Sequence, residues 1–129
     1  MSIATICLAI ACALPIVCTG LAKRSGVVDR SFDNNEPRAW LAKQTGAAAR
    51  ANAAQANSWE ALAVFAAGVL SAQHLGAPSS YVDVLAITFV VARVVYIGLY
   101  MADLATLRSV VWFVGYAASM ALFFTSVIG

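Results

Sequence analysis

Five polar side chains lie within apolar stretches of the sequence that are long enough to span a bilayer. Asn57 and Glu60 interrupt one stretch, and Arg93, Tyr96 and Tyr100 interrupt another. An ionisable group inside hydrocarbon costs about 2.5 to 3.5 kcal/mol on insertion scales, so such residues usually face a partner helix or a wet cavity and serve a function. These five residues are therefore the first candidates for a functional site.

Their spacing predicts two polar stripes on neighbouring helices. Arg50, Asn57 and Glu60 follow one another at helical intervals, and intervals of three and four separate the Arg and the two Tyr of the other stretch. Together the stripes offer anion binding by Arg, hydrogen bonding by amide and phenol groups, and a carboxylate that can hold an ammonium group. A purely structural alternative is a buried ion pair between Glu60 and Arg93, with Asn57 joining the two helices.

The composition predicts the elements that position these stripes. Hydrophobic residues make up 62% of the 129 residues and charged residues only 11%, whereas soluble domains carry roughly 25% charge. We therefore expect a single all-α integral membrane domain over residues 1–129, a transmembrane four-helix bundle in up-down order. The first segment lacks preceding basic residues, so we expect a retained span rather than a signal peptide. The predicted spans are about 2–22, 47–75, 81–101 and 107–128, with a loop at 23–46.

The positions of the basic residues predict the orientation in the membrane, because Lys and Arg concentrate in cytoplasmic loops. The second loop, residues 74–80, has neither Lys nor Arg. Loop 23–46 is therefore predicted to be cytoplasmic and both termini to face outward, so the polar ends of the second and third spans meet on the cytoplasmic side. The basic residues of loop 23–46 are Lys23, Arg24, Arg30, Arg38 and Lys43.

At the polar stripes the chain resembles the MAPEG superfamily, the membrane-associated proteins in eicosanoid and glutathione metabolism. Its members include microsomal glutathione transferases and a leukotriene-forming synthase. Their second helix has an Arg-rich start followed by Asn-x-x-Glu, and their third has Arg-x-x-Tyr-x-x-x-Tyr followed by an Arg. The similar residues in this chain are Arg50, Gln55, Asn57, Glu60 and Phe65 in the second span, and Arg93, Tyr96, Tyr100 and Arg108 in and after the third.

A second resemblance concerns the source of the chain. The sequence Asn-Glu-Pro-Arg at residues 35–38, together with residues 50–60, resembles a bacterial branch of the superfamily whose members mostly lack an assigned substrate. This resemblance implies a bacterial inner membrane, with both termini in the periplasm.

The resemblance to MAPEG proteins implies a homotrimer that binds glutathione between neighbouring protomers on the cytoplasmic side. Glu60 would lie near the amino group of glutathione, and Arg24 or Arg30 could reach in from the next protomer. The residues implied to bind glutathione are Arg50, Gln55, Asn57, Glu60, Arg93, Tyr96 and Tyr100.

Arg108 would be the catalytic residue, because a guanidinium beside a thiol favours the nucleophilic thiolate. The implied function is a glutathione-dependent transferase or peroxidase acting on lipophilic electrophiles. An alternative is a non-catalytic scaffold or accessory subunit of a larger membrane complex, since Ala53 and Ala63 stand where the family often has Arg and Pro. A small transporter gated by Glu60 and Arg93 is less consistent with four short helices that show no inverted repeat.

Other partners are few. The only histidine is His74, and it has no Cys or carboxylate cluster around it in the sequence, so no metal site is predicted. A net charge of +2 without a basic and aromatic patch gives no support for nucleic-acid binding. The expected partners are other copies of the chain, lipids and lipophilic small molecules, and other membrane proteins in the scaffold alternative.

Overall fold

The computed structural model describes residues 1–128, and all the regular structure in that range is helical. The all-α prediction is therefore confirmed for the described residues, while Gly129, the last residue of the predicted domain, lies outside them. The helices are α1 (Ile3–Asp29), α2 (Pro37–Ala42), α3 (Gly46–His74), α4 (Ser79–Met101), α5 (Ala105–Leu122) and α6 (Thr125–Ile128).

Three of these helices, α1, α4 and α5, are long and apolar enough to cross a membrane. Only 28%, 39% and 22% of their most apolar stretches, respectively, is buried inside the protein, so most of their apolar side chains face outward. Helix α3 is the longest, but it carries the polar residues of the first stripe and is not among the three. A fourth crossing by α3 stays a prediction.

Long helices that follow one another in the chain run antiparallel, so α1 and α4 run in the same direction, as do α3 and α5. Helix α1 lies mainly against α3, α4 lies mainly against α5, and α3 also contacts α4 and α5. At one end the Asp83 carboxylate of α4 accepts a hydrogen bond from the backbone N–H of Ala4, 2.9 Å away. At the other end Arg50 Nη2 donates to the backbone carbonyl of Met101 over 3.3 Å. The start of α3 and the end of α4 therefore lie together, as the predicted pairing of the stripes requires.

The four long helices contribute to one apolar core, which lies at the end of the molecule where α1 and α4 begin. The polar stripes lie nearer the opposite end, where α3 begins. Phe65 of α3 stacks on Phe89 of α4, with ring centroids 3.9 Å apart and planes only 8° from parallel. The buried core residues are Ala4, Cys7, Ala11, Phe65, Val69, Ala72, Val82, Ala86, Phe89, Ala118 and Leu122.

One glycine sets the distance between α3 and α5. A Cβ atom at Gly68 would lie 2.8 Å from the backbone carbonyl oxygen of Ser119 and 3.0 Å from Cβ of Leu122. Real Cβ atoms do not approach so closely, so the two helices can pack at this distance only because residue 68 has no side chain. Small residues serve this purpose in many membrane helix pairs.

Two helices differ in length from the predicted spans. Helix α1 runs to Asp29, beyond residue 22, because no Pro interrupts residues 23–29 and the Trp40 indole packs against Gly26. Helix α5 ends at Leu122, and α6 follows after a short turn in which the Thr125 hydroxyl donates to the Leu122 carbonyl. Helix ends do not mark the bilayer, so the predicted membrane boundaries remain predictions.

Candidate functional site

Arg93 on α4 forms the centre of the site, and its side chain is only 3% exposed. Its Nη1 donates to the Asn57 side-chain oxygen over 2.9 Å, and its Nη2 donates to the Ser58 hydroxyl oxygen, also over 2.9 Å. Ser58 in turn donates to the backbone carbonyl of Ala54, 2.7 Å away. A buried charge is tolerated when hydrogen bonds satisfy it, and here both acceptors belong to α3. Arg93 therefore fastens α4 to α3.

Asn57 connects this guanidinium to Glu60. Its amide nitrogen lies 3.5 Å from a carboxylate oxygen of Glu60, while its amide oxygen accepts from Arg93. Within residues 1–128 no salt bridge joins Glu60 to Arg93, so the alternative of a direct buried ion pair does not describe the site. Glu60 is exposed on the single chain, which leaves most of its carboxylate free for a cationic group.

Two guanidinium groups flank a pair of aromatic rings between the middle of α4 and the start of α5. The Arg93 guanidinium lies 4.2 Å from the centre of the Tyr96 ring. Tyr96 and Tyr100 contact edge to face, with centroids 5.7 Å apart at 74°. The Arg108 guanidinium then lies 4.1 Å from the centre of the Tyr100 ring. Cation–π contacts of this kind hold a guanidinium in place without neutralising its charge.

A tight turn between α4 and α5 makes the last of these contacts possible. Asp103 adopts a left-handed backbone conformation with φ of 59°, which Asp tolerates better than most residues. The Leu104 N–H donates to the Leu99 carbonyl over 3.0 Å and closes the end of α4. Helix α5 therefore starts directly beside α4, and Arg108 in its first turns lies over Tyr100. We call these four residues of α4 and α5, together with two residues of α3, the polar wall. Its residues are Asn57, Glu60, Arg93, Tyr96, Tyr100 and Arg108.

Two of the predicted binding residues do not join the polar wall. Arg50 donates to the Met101 carbonyl, and its buried Nε has no hydrogen-bond partner among the described residues. Its contact with the end of α4 matches the preference of helix C-termini for positive charge. Gln55 is half-buried and lies two residues before Asn57, a separation that places it on a different side of α3.

A pocket of about 190 Å³ opens between α3, α4 and α5, and four polar-wall residues line it: Asn57, Glu60, Arg93 and Tyr96. Its remaining walls are mostly apolar. Helix α5 contributes Trp112 and Tyr116, whose rings stack with centroids 5.1 Å apart, and Ser119. The other lining residues are Ala61, Val64, Phe89, Ala92, Val111 and Gly115.

The α5 side of the pocket is absent from the sequence prediction. From the sequence alone, Trp112 and Tyr116 fit an aromatic belt at the membrane interface, and this interpretation does not predict that they line a pocket. The intervals of four and three between Trp112, Tyr116 and Ser119 are those of one helical stripe, and this signal could have identified them.

Over the described range the structure contains no cluster of three or more His, Cys, Asp or Glu that could hold a metal.

Comparison with known proteins gives one finding. No curated protein and no solved structure matches the chain significantly. A model of the MAPEG family, in contrast, matches residues 3–128. Because this match covers nearly the whole sequence, the chain belongs to the MAPEG family of integral membrane proteins.

Proposed function

We propose that the protein is a glutathione-dependent transferase or peroxidase that acts on lipophilic electrophiles in the membrane. The observation that carries this proposal is the row from Arg93 through Tyr96 and Tyr100 to Arg108, which ends in a guanidinium held by a ring. The family is generally associated with glutathione, which adds to the case for this thiol.

In this proposal each part of the polar wall has its own task. Glu60 binds the ammonium group of glutathione, and Asn57 binds its peptide backbone. Arg93 holds Asn57 in place, since two of its nitrogens already donate to side chains of α3. Tyr96 and Tyr100 line the path from Glu60 to Arg108, so the peptide lies along α4.

Arg108 stabilises the thiolate of the bound glutathione. A free thiol has a pKa of about 8.5, and a neighbouring guanidinium lowers it. Lowering the pKa by about 2 units requires about 2.7 kcal/mol of differential stabilisation, which one guanidinium in contact with the sulfur can supply. The thiolate sulfur then attacks the electrophilic carbon of a substrate, forming an S–C bond as a leaving group departs with its electron pair. With a hydroperoxide it attacks the terminal oxygen, the O–O bond breaks to give the alcohol, and a second glutathione reduces the resulting sulfenic acid to the disulfide.

We further propose that three chains assemble and that all four long helices of each chain cross the bilayer. Glu60 and Trp59 are exposed on the single chain, although they lie within a helix that packs against all three helices long and apolar enough to cross a membrane. A neighbouring protomer would cover them and complete the glutathione site. Gln55, on its own side of α3, and Arg24 or Arg30 of a neighbour are candidates for this contribution.

The proposed setting is a bacterial inner membrane with the polar wall on the cytoplasmic side and both termini in the periplasm. The distribution of basic residues supports this orientation. Arg50 and Arg108 both lie at the same end of the helices as loop 23–46, so the glutathione site would open toward the cytoplasm.

A second candidate is a non-catalytic scaffold or accessory subunit of a larger membrane complex. One observation favours it: Arg93 and Arg50 both donate to protein acceptors, which are structural roles. This candidate predicts stable co-purification with other membrane proteins and no increase in unfolding temperature on addition of glutathione. An increase of several degrees for the isolated protein would contradict it.

The test of the leading proposal is thiol conjugation and hydroperoxide reduction by the purified protein. Arg108→Ala and Tyr100→Phe should lower both rates. Arg38→Ala should not, because it removes an exposed guanidinium of α2 outside the polar wall. Equal rates in the wild type and both site variants would refute the assigned roles.

A further inference from the structure

The loop between α1 and α3, with the end of α1, carries a set of cations that the polar wall does not use. Five of the eight Lys and Arg residues of the chain lie between residues 23 and 43. None of the five forms a salt bridge within the described residues, and the nearby carboxylates of Asp29 and Asp33 accept from the backbone N–H groups of Ser31 and Asn35. These positive charges are therefore available to a partner outside the chain.

Arg24 lies on the face of α1 that points away from the rest of the chain. Intervals of seven, four, three and four residues connect Ile10, Val17, Leu21, Arg24 and Val28, so the five share one side of the helix. All five are exposed on the single chain. The Arg24 guanidinium therefore belongs to an otherwise apolar outer face, near the carboxyl end of the helix.

The length of α1 places Arg24 at the edge of the hydrocarbon. Helix α1 is one of the three helices that are long and apolar enough to cross a membrane. Its part without charges, from Ile3 to Leu21, is about 28 Å long at 1.5 Å per residue, close to the roughly 30 Å of a hydrocarbon core. Arg24 follows within one further turn, where an arginine keeps its stem along apolar surface and its guanidinium among the lipid headgroups.

The chain after α1 folds back to this same level. Arg30 has a left-handed backbone conformation with φ of 62°, and the Phe32 N–H donates to the Gly26 carbonyl over 3.1 Å, so α1 ends and the chain reverses. The Trp40 indole of α2 then packs directly on Gly26, where a Cβ atom would overlap the ring. Since Gly26 is two residues past Arg24, about 3 Å along α1, Trp40 lies close to the level of Arg24.

Helix α2 brings two further cations to that level. Arg38 and Lys43 lie two residues before and three residues after Trp40, and both are exposed. Tryptophan itself favours the interface between hydrocarbon and water. Lys23 differs from these cations, because its ammonium group lies 5.0 Å from the centre of the Phe32 ring.

We propose that Arg24, Arg38 and Lys43, which we call the basic surface, bind the phosphate of an anionic phospholipid whose acyl chains lie along Val17 and Leu21. A phosphate accepts charge-assisted hydrogen bonds from such cations, and an anionic leaflet attracts basic segments beside a membrane helix. An amphiphile matches both the cations and the apolar residues below them, whereas free phosphate matches the cations alone. This binding requires neither glutathione nor a thiol reaction.

Native mass spectrometry of the purified protein in detergent tests this preference. The probes are dioleoylphosphatidylglycerol, which is anionic, and dioleoylphosphatidylcholine, which has the same acyl chains and no net charge. The wild type should bind the anionic lipid roughly a hundredfold more tightly, since each of three cations at the membrane surface contributes about fivefold. Arg24→Gln should lower this preference about fivefold, and the triple variant Arg24→Gln/Arg38→Gln/Lys43→Gln should abolish it.

Two more variants distinguish a folded basic surface from a basic loop of any shape. Trp40→Ala keeps every charge but removes the contact that holds α2 against Gly26, so it should lower the lipid preference about as far as Arg38→Gln/Lys43→Gln does. Arg30→Asn is the matched control, since it removes a positive charge about 9 Å further along α1 than Arg24 and on another side of the helix. Asparagine tolerates the left-handed conformation there, and this variant should keep most of the preference.

Four results would overturn the proposal. Equal affinities of the wild type for the two lipids would exclude recognition of the headgroup, and a preference that survives in the triple variant would exclude these residues. An unchanged preference in Trp40→Ala, shown to be folded by a thermal unfolding scan, would leave only the net charge of the loop. If Arg24→Gln weakened glutathione binding and left the lipid preference unchanged, Arg24 would face a neighbouring protomer instead of lipid.

Discussion

Among single residues, Asn57 occupies a position that joins stability to function. It accepts a hydrogen bond from Arg93 and lies within 3.5 Å of Glu60, so one amide touches both a buried cation and an exposed carboxylate. Removing the amide leaves one nitrogen of the buried Arg93 guanidinium without a hydrogen-bond acceptor, and this lowers the stability of the folded protein. Changing the Glu60 carboxylate should weaken ligand binding rather than stability, because Glu60 does not accept a hydrogen bond from the Arg93 guanidinium.

We expect Asn57→Leu to lower the free energy of unfolding by about 1–3 kcal/mol, since one nitrogen of a buried guanidinium loses its acceptor. Glu60→Gln is the matched control, because a glutamine oxygen can still accept from Asn57. Thermal unfolding in detergent, followed by circular dichroism, measures both. Glu60→Gln should unfold near the wild-type temperature yet lose the increase that glutathione produces. The same unfolding temperature for both variants would contradict this division of roles.

The polar stripe on α4 is predictable from sequence because its members lie on one helix, where spacing alone fixes their neighbours. The partners across helices are not. Ser58 is an inconspicuous residue between Asn57 and Glu60, yet it accepts from Arg93 because of how α3 is rotated against α4. The bond from Arg50 to the Met101 carbonyl involves a backbone group, which carries no residue-specific signal.

Among the helices, the contact between α3 and α5 decides the shape of the pocket. Gly68 lets α3 approach the backbone of α5 at Ser119, which lines the pocket. Phe65 and Phe89 stack nearby and join α3 to α4. The pocket therefore has a closely packed apolar end and a polar end formed by the polar wall.

We expect Gly68→Ala to destabilise the protein by about 1–3 kcal/mol, because the added methyl group overpacks the contact with α5. Gly98→Ala is the matched control, since a Cβ at Gly98 meets nothing within 4 Å and alanine favours a helix. Its unfolding temperature should be equal to or above that of the wild type. If Gly68→Ala were as stable as Gly98→Ala, the close approach of α3 and α5 would be refuted.

The four long helices follow from the apolar runs, but the details of their ends do not. Residues 23–29 read as part of a basic loop, whereas they continue α1, since no Pro or turn motif interrupts them. Residues 123–124 show the opposite case. They are apolar and are predicted to continue the last span, whereas α5 ends before them and α6 begins after them. Hydropathy reports the affinity of a segment for lipid, whereas the helix end depends on local turns and on contacts such as that of Trp40 with Gly26.

In the assembled chain, the outward faces of the long helices are mainly apolar, apart from one part of α3. Most of the large exposed side chains of α1, α4 and α5 are apolar, as lipid contact requires. The exposed part of α3 around Trp59 and Glu60 is the exception. The proposed trimer resolves it by covering this face with a neighbouring protomer.

Native mass spectrometry from detergent should therefore find a species of three times the 13.5 kDa chain mass. Trp59→Ala should shift the population toward monomers, because the indole is 45% exposed on the proposed contact face. Phe113→Ala, at an outward-facing residue of α5 that is 64% exposed, should leave the trimer intact. Monomers alone in the wild type would exclude this assembly under the conditions used.

Arg108 is proposed to stabilise a thiolate, and the ultraviolet absorbance of the thiolate of bound glutathione as a function of pH measures this effect. In the wild type the thiol should titrate about 2 units below its free pKa of about 8.5, because the cation favours the anion. In Arg108→Ala the titration should return to about 8.5, with glutathione still bound through Glu60 and Asn57. The same thiol pKa in both proteins would rule out this role for Arg108.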